Sequence, residues 1–348
     1  MTIDALETCG YVRDLLDQPR AVEETIRGLS ATPALQAIAG ELAAGRFDRI
    51  VLTGMGSSLY ALQTLRLRLI ARGFTPLAAE TSELLCSMSA ALEGRTLMVA
   101  VSQSGRSVEI VRLLGRCGPR PRTIGVTNDA GSPLALETDA AVVTRAGAED
   151  AVACKTYVST LAALEWLATV LLGEDPGAAK TALGEAPPPV ARYLARWKEH
   201  VAALLPMMEG VRHVFLTGRG SSLATAANGA LILKESAHVH AEGMSSAAFR
   251  HGPMEMLRED VFVIVFAGDE ATRVLNERLA EDIGKAGGRA AVVGGDSATE
   301  VFRLPSCAPP VRPIMEMLPV QMMSLALAAH AGHEPGRFRL ASKVTTVE

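Results

Sequence analysis

Short apolar runs alternate with longer stretches of helical spacing along most of the chain. In the first half, the apolar runs cover residues 49–52, 76–79, 96–101, 123–126 and 140–143. Runs of about four to eight apolar residues bounded by Gly, Pro or Ser are typical of buried strands. Residues 59–70 instead repeat their apolar positions with the spacing of a helix. This alternation predicts right-handed crossovers and a doubly wound α/β fold, with a parallel sheet between helices.

A polar segment follows one of these strands and opens a helix. Residues 96–101 run directly into Ser102-Gln103-Ser104-Gly105-Arg106-Ser107, and helical spacing starts at Val108 with Ser107 in the N-cap position. Ligands of parallel sheets bind at the carboxyl ends of the strands, and helix N-termini favour anions. The segment has more hydroxyl and amide side chains than one cap requires. It therefore predicts a phosphate site, with a plain strand–helix turn as the alternative.

A seven-residue motif occurs twice. Thr-Gly-x-Gly-Ser-Ser-Leu stands at 53–59 and again at 217–223, 217 − 53 = 164 residues later, each time after a strand-like run. Such long-period self-similarity predicts an internal duplication. The two halves have diverged, because the second-half strand at 261–266 runs into Ala267-Gly268-Asp269-Glu270. Since carboxylates repel phosphate, we expect the first half to hold the anion and the second half to contribute other groups.

The Pro-rich stretch at 186–189 is the strongest candidate for a domain boundary. Residues before the first strand have helical spacing throughout. The predicted organisation is N-terminal helices at 1–45, a phosphate-binding subdomain at 46–186, a second subdomain at 187–335 and a C-terminal tail at 336–348.

Composition narrows the class of protein. The 348 residues are 49% hydrophobic and 21% charged, with a net charge of -4, so no basic surplus indicates a nucleic-acid partner. No run of about 18 uninterrupted apolar residues predicts a membrane span, and the acidic N-terminus lacks the features of a signal peptide. The five cysteines are scattered and the seven histidines form no ligand pattern. We expect a cytoplasmic protein without a metal site, disulfide framework or membrane contact.

Three ionisable residues outside the serine-rich segment are candidates for catalysis. Glu235 lies near the end of a mostly apolar helix, where desolvation in a pocket would make it a general base; a surface pair with Lys234 is the alternative. His251 precedes Gly-Pro on a rigid turn and is either functional or structural. Lys343 has small and apolar neighbours, so it is either a solvated charge or a desolvated amine suited to imine formation.

Six motifs together resemble the sugar isomerase (SIS) family, and within it most closely the isomerase half of glucosamine-6-phosphate synthase. The similarity covers residues 48–348. The motifs are Gly-Ser-Ser at 56–58, Ser-Gln-Ser-Gly-x-Ser at 102–107, Ala-Leu-x-Leu-Lys-Glu at 230–235, His-Ala-Glu at 240–242, His-Gly-Pro at 251–253 and Lys-Val-Thr-x-Val-Glu at 343–348.

The resemblance implies two tandem SIS subdomains, each a five-stranded, flavodoxin-like parallel sheet between helices, and no metal or organic cofactor. It implies that Glu235 moves a proton between C1 and C2 of a phosphorylated sugar. His251 would assist ring opening from the neighbouring subunit of a homodimer, and Lys343 would form an imine with an open-chain ketose. The implied substrate and phosphate contacts are Gly56, Ser57, Ser58, Ser102, Gln103, Ser104, Ser107, Ala153 and Ser342.

The chain departs from the synthase pattern at several points. Ile232 replaces a charged residue one helical turn before Glu235, the segment 152–156 is one residue shorter, and Ser342 stands where the synthase has alanine. Residues 1–45 are too few for a glutaminase domain, and Thr2 cannot serve as an N-terminal cysteine nucleophile. From these observations we expect no glutamine-dependent synthesis.

The expected activity is conversion of an amino-hexose 6-phosphate, such as glucosamine 6-phosphate, into a ketose 6-phosphate and ammonia. Two alternatives stay open at this point. One is a deglycase that splits a phosphorylated fructosamine, and the other is a non-catalytic sugar-phosphate sensor. No helix-turn-helix pattern precedes residue 45, and all three ionisable candidates are present, which favours an enzyme.

Overall fold

A computed structural model of the protein describes residues 1–116, 120–150, 152–340 and 342–345. The strands are β1 Arg49–Gly54, β2 Leu77–Glu80, β3 Thr96–Val101, β4 Arg122–Thr127, β5 Ala140–Val143, β6 His213–Gly218, β7 His240–Ser245, β8 Val261–Phe266 and β9 Arg289–Val293. The helices are α1 Ile3–Leu6, α2 Gly10–Leu16, α3 Gln18–Gly28, α4 Pro33–Ala43, α5 Ser57–Ala71, α6 Thr81–Cys86, α7 Val108–Leu114, α8 Pro133–Glu137, α9 Lys155–Leu171, α10 Pro176–Leu183, α11 Pro187–Leu194, α12 Trp197–Met208, α13 Ser222–Ala237, α14 Ser246–Arg250, α15 Glu270–Lys285 and α16 Arg312–Ala331.

The chain forms two compact units, each built around one parallel sheet. The first-sheet unit comprises Arg20–Ala148, Lys155–Gly184 and the residues from Leu340 onward, and the second-sheet unit comprises Met1–Pro19, Glu149–Cys154 and Glu185–Arg339. This division differs from the predicted boundaries because the N-terminal helices separate. The Tyr11 hydroxyl on α2 lies 3.2 Å from Ser324 Oγ on α16, whereas Thr25 on α3 donates to the carbonyl of Thr144 after β5.

The first sheet has the order β2-β1-β3-β4-β5, with every pair parallel. The central strand β3 is buried along its whole length. Strands β1 and β3 lie side by side, with Thr53 paired to Ala100, although β2 lies between them in sequence. A sheet that reverses its winding in this way opens a crevice at the carboxyl ends of the two strands. The loops after β1 and β3 therefore share one sheet edge.

The second sheet has the order β7-β6-β8-β9, so β6 and β8 stand in the same relation as β1 and β3. The predicted α/β fold with two parallel sheets is confirmed. Among the described residues, however, the second sheet has four strands instead of the five expected. Beyond β9 only a single bridge joins Gly294 to Arg303. Pro305, Pro309 and Pro310 follow, and proline lacks the N–H that a strand ladder requires.

Helix α16 is the most deeply buried long helix of the second-sheet unit. By length and composition alone, the segment Pro309–Ala331 is apolar enough to cross a membrane. In the fold, 89% of its most apolar window is buried inside the protein, which is the position of a core helix.

Candidate active site

The serine loop, residues 102–107 between β3 and α7, is held in a tight turn by its own groups. Ser102, which is 7% exposed, accepts a hydrogen bond on Oγ from the Gly105 N–H at 3.1 Å. Ser104 Oγ accepts one from the Arg106 N–H at 3.2 Å. At Gly105 φ is 61°, and a Cβ there would collide with Ser132 Oγ, so glycine is required. The chain itself therefore fixes the direction of the loop hydroxyls.

The loop is hydrogen-bonded to the end of β4 near its start, and at its other end it runs directly into helix α7. The Gln103 carbonyl accepts a hydrogen bond from the Asn128 N–H at 3.0 Å, which joins the loop to the end of β4. Ser107 occupies the N-cap position of α7 as the sequence predicts, with extended backbone angles, but its hydroxyl makes no capping hydrogen bond. The Ser107 hydroxyl is therefore not used to close the helix.

The loop after β1 lies beside the serine loop in the same unit. Gly56, with φ of 49°, is the residue before α5, and Ser57 and Ser58 form the start of that helix. A Cβ at Gly54 would lie 2.9 Å from the Val101 carbonyl oxygen, so only glycine allows the ends of β1 and β3 to approach this closely. The structure thus brings Gly56, Ser57 and Ser58 to the sheet edge that carries residues 102–107.

The C-terminal tail reaches the same place. The Thr345 carbonyl accepts a hydrogen bond from the Val108 N–H at 3.0 Å, directly after Ser107. Ser342 is exposed and donates from Oγ to the Val344 carbonyl at 2.7 Å, while Lys343 is partly buried. The tail is therefore joined to the start of α7 two residues after Lys343, within the first-sheet unit. Thr346, Val347 and Glu348 of the last motif lie outside the described residues.

Arg106 is a positioning residue that sequence reasoning missed. Its Nε and Nη2 lie 3.2 and 2.8 Å from Asp129 Oδ2, and Nη2 also donates to the Gly131 carbonyl at 2.9 Å. The hydrogen bond from Arg106 lowers the pKa of Asp129 below its ordinary value. The pair fastens the serine loop to the loop after β4. The sequence signal was the Asn-Asp pair at the end of a strand, which is typical of a structured turn.

Glu235 lies in the last turn of α13 in the second-sheet unit. Its side chain is partly buried, whereas the neighbouring Lys234 is exposed. Burial is the main cause that raises the pKa of Tyr11, and the negative charge of Glu235 raises it further. The carboxylate of Glu235 therefore acts on a tyrosine that is only 1% exposed. This places it at the edge of the protein interior and not on an open surface.

The loop that carries Ala153 lies around the same tyrosine. Glu149 Oε1 accepts a hydrogen bond from the Cys154 N–H at 2.9 Å, which closes this loop. Both Glu149 and Cys154 also raise the pKa of Tyr11. Within the second-sheet unit, Glu235 and the two residues that close the loop of Ala153 thus act on the same tyrosine. The sequence gives no signal that Tyr11 is near these residues, because it lies far from them along the chain.

His251 is placed differently. It follows α14, donates its N–H to the Ala248 carbonyl at 2.9 Å, and has an exposed side chain. Gly252 after it has φ of 129°, a conformation that side-chain-bearing residues rarely adopt. The turn presents the imidazole of His251 to solvent within this chain.

The second copy of the duplicated motif, residues 217–223, contributes a hydrogen bond to a buried carboxyl group in the second-sheet unit. Ser222, which corresponds to Ser58, donates from Oγ to Glu316 Oε1 at 2.8 Å. Thr225 donates to the other carboxyl oxygen at 3.2 Å. Arg219 Nε and Ser221 Oγ are buried atoms without a hydrogen-bond partner in the described part of the chain. The motif therefore holds a buried carboxyl group in the second half, in contrast to its position beside the serine loop in the first half.

No group of three or more His, Cys, Asp or Glu side chains within residues 1–116, 120–150, 152–340 and 342–345 is arranged to hold a metal ion. The described loops of the first sheet offer hydrogen bonding by hydroxyls, and Glu235, His251 and Lys343 carry the side-chain types that can exchange protons.

Sequence and structure comparisons agree on one family. The glutamine–fructose-6-phosphate aminotransferase [isomerizing] of Pyrococcus horikoshii is 30% identical over 366 aligned residues, covering 100% of this chain and 60% of that protein. The protein of the same name from Leifsonia xyli is 30% identical over 363 residues, covering 97% of this chain and 58% of its own length. The chain thus spans about 60% of the length of the curated relatives that it matches.

Solved structures show the shared fold. The C-terminal domain of glucosamine-fructose-6-phosphate aminotransferase from Francisella tularensis superposes with a TM-score of 0.83 at 20% identity, covering 95% of this chain and 98% of that one. Glucosamine-6-phosphate deaminase from Thermotoga maritima superposes with a TM-score of 0.75 at 19% identity, covering 97% and 100%. The SIS domain profile matches residues 46–170 and 207–331, one match for each sheet. The chain therefore belongs to the SIS domain family and carries two copies of the domain.

Proposed function

We propose that the protein is a phosphosugar isomerase that converts an amino-hexose 6-phosphate into a ketose 6-phosphate and ammonia. The observation that carries this proposal is the serine loop at residues 102–107. Its hydroxyls are fixed at the point where the first sheet reverses its winding, and the Ser107 hydroxyl is not used as a cap. The curated relatives are named for fructose 6-phosphate and an amino transfer, which supports a substrate of this class.

In the proposed reaction, the serine loop and the loop of Ser57 and Ser58 hold the phosphate and fix the reacting carbons. His251 assists ring opening to the aldehyde. Glu235 removes the proton from C2 and returns a proton to C1, which converts the amino aldose into a ketimine. Water adds to C2 of the ketimine and ammonia leaves, so the products are the ketose 6-phosphate and ammonia. Lys343 either forms an imine or stabilises the negative charge that develops on oxygen.

The half-buried side chain of Glu235 supports its role as the base, since a carboxylate held partly away from water can be placed against a bound substrate. The proposal includes a cytoplasmic homodimer in which His251 serves the site of the other subunit. The exposed imidazole supports this part, because a residue that completes a partner's site must lie at the surface of its own chain.

The test is incubation of the purified protein with glucosamine 6-phosphate while both ammonia and fructose 6-phosphate are measured. We expect saturable release of both products in equal amounts. Glu235→Gln removes the base but keeps the shape of the side chain, so it should lower kcat by about 10²–10⁴-fold. Glu281→Gln, an exposed glutamate on α15, is the matched control and should keep full activity.

Absence of turnover together with a rise in Tm on adding glucosamine 6-phosphate would reject the deaminase. Turnover of a phosphorylated fructosamine under the same conditions would then identify the deglycase, and binding without turnover of either compound would identify a sensor.

A further inference from the structure

A cavity of about 620 Å³ opens at the carboxyl ends of β8 and β9 in the second-sheet unit. Strands β8 and β9 are parallel neighbours, so the cavity lies between the loops that follow them, at the sheet edge where parallel sheets bind ligands. The backbone of Gly268 borders it, and the apolar side chains of Val293 and Leu304 form part of its wall. The role proposed above for the protein uses none of the residues that line it.

Most charged groups around the cavity are already paired. Arg312 forms an ion pair with Asp269, and Arg273 Nη1 lies 3.9 Å from Asp296 Oδ2. Glu300 is paired with Arg196, whose Nη2 lies 3.3 Å from Glu300 Oε2. The acidic loop after β8 is therefore neutralised by Arg312 and presents little net negative charge to the cavity.

Two lining residues, Arg303 and Glu316, form no ion pair at contact distance within the described part of the chain, although Arg303 acts at longer range on Glu300 and Arg312 acts on Glu316. Arg303 donates from Nε to the Ser297 carbonyl at 2.9 Å and from Nη2 to the Ala298 carbonyl at 3.5 Å. Within the described ranges, no carboxylate lies at ion-pair distance from it. Glu316 is 1% exposed yet borders the cavity, and its carboxyl oxygens accept hydrogen bonds only from Ser222 and Thr225.

Burial next to the cavity disfavours the charged form of Glu316. Burial raises its pKa from 4.5 to about 7, although the two hydroxyls and Arg312 act in the opposite direction. A cation next to the carboxyl group would relieve that cost, because an opposite charge stabilises the ionised form. An anion next to Arg303 would likewise add charge-assisted hydrogen bonds to a guanidinium whose described hydrogen bonds go to the neutral carbonyls of Ser297 and Ala298.

We propose that this cavity binds a small zwitterion, with its anionic group at Arg303 and its ammonium group at Glu316. The volume suits a small polar metabolite, and an α-amino acid and an amino sugar phosphate share the required chemistry. The site is separate from the serine loop and does not depend on the reaction proposed above.

Cys307 provides a local probe because it borders the cavity. Burial raises the pKa of its thiol to about 11, so alkylation by N-ethylmaleimide is slow enough to follow by mass spectrometry of the Cys307 peptide. Cys86, exposed in the first-sheet unit, is the internal control. A ligand at about five times its Kd should slow alkylation of Cys307 about sixfold, since only the empty site reacts.

Three probes are compared: L-alanine, glucosamine 6-phosphate and fructose 6-phosphate. The glucosamine 6-phosphate arm uses the Glu235→Gln protein so that the ligand is not consumed. Protection of Cys307 by L-alanine or by glucosamine 6-phosphate supports the proposal and identifies the source of the zwitterion. Fructose 6-phosphate carries the anion without the ammonium and should not protect.

Variants assign the two ends of the ligand. Glu316→Gln and Arg303→Gln should each abolish protection, whereas Arg278→Gln on the exposed face of α15 should leave it unchanged. Arg303 is exposed, so its variant remains informative even where Glu316→Gln lowers stability. Equal protection by fructose 6-phosphate, or alkylation of Cys307 at one rate with all three compounds, would overturn the proposal.

Discussion

The buried carboxyl group of Glu316 should make the free energy of unfolding of the protein depend on pH. Its pKa is raised from 4.5 to about 7, with burial as the main cause. Between these two values the folded protein holds a proton that the unfolded chain releases. Because of Glu316 the folded state binds more protons in this window, so the Glu316 contribution to the free energy of unfolding must fall as the pH rises through it. His200 and His238, whose pKa values burial lowers, contribute in the opposite direction.

We predict that the Glu316 contribution falls by about 3 kcal/mol between pH 4.5 and 7, as follows from the two pKa values. Glu316→Gln cannot ionise, so its curve of unfolding free energy against pH should lack this fall. Urea denaturation of both proteins at a series of pH values measures the difference. Asp129 and Asp282, whose pKa values are lowered by Arg106 and Arg250, lose their stabilisation only at lower pH and do so in both proteins.

Glu281→Gln on the exposed face of α15 controls for the loss of any carboxylate and should keep the wild-type curve. A Glu316→Gln curve parallel to the wild type between pH 4.5 and 7 would contradict the prediction.

At the scale of residues, sequence reasoning succeeded where the determinants are local. The serine loop could be predicted because a strand, a glycine with positive φ and an N-cap residue follow one another within a few positions. The environment of Glu235 could not, because Tyr11 is far away in sequence. The buried state of Glu316 depends in the same way on the packing of α16 against Ser222 and Thr225.

At the scale of elements, a backbone hydrogen bond joins the C-terminal tail to the start of helix α7. The Val108 N–H, at the first position of α7, donates to the Thr345 carbonyl at 3.0 Å. Proline is tolerated at the first position of a helix, and the extended backbone of Ser107 suits a residue before proline. Val108→Pro should therefore remove this hydrogen bond while α7 stays intact.

We predict that Val108→Pro lowers kcat about fivefold, because a hydrogen bond contributes about 1 kcal/mol to the docked state of the tail. Limited proteolysis followed by mass spectrometry should show faster cleavage near Leu340, which is fully exposed. Val108→Ala keeps the N–H and should match the wild type in both measurements. If proline and alanine at this position behave alike, the tail is held by other contacts.

The strands were predictable to different degrees. Strands β3 and β8 are buried on both faces and appear in the sequence as continuous apolar runs. Strand β7 is mostly exposed or half-buried and was visible only through the motif that it carries. The prediction of a fifth strand in the second sheet was wrong, within the described residues, for another reason. The segment after β9 keeps one bridge at Arg303, and the prolines that follow prevent a ladder.

At the scale of the whole molecule, the proposal that two subunits share an active site makes a quantitative prediction. If His251 acts in the site of the other subunit, a dimer of one Glu235→Gln chain and one His251→Ala chain has one site with both residues intact. Each variant alone should be inactive. Random re-association of equal amounts makes half of the dimers mixed, so about 25% of the wild-type activity should return.

Mixing after denaturation and refolding, with each variant refolded alone as the control, measures this recovery. If His251 served its own chain, every mixed dimer would lack a complete site and no activity would return.

The way in which the chain passes between its two units bears on how the protein is made. Residues Glu149–Cys154 leave the first-sheet unit for the second, and the chain returns to the first-sheet unit at Leu340. Neither unit is therefore a continuous segment that could be expressed by itself by cutting at the Pro-rich stretch. During synthesis, the first sheet can form early, but the start of α7 acquires its tail contact only after Thr345 has left the ribosome, when every described strand of both sheets has already been made.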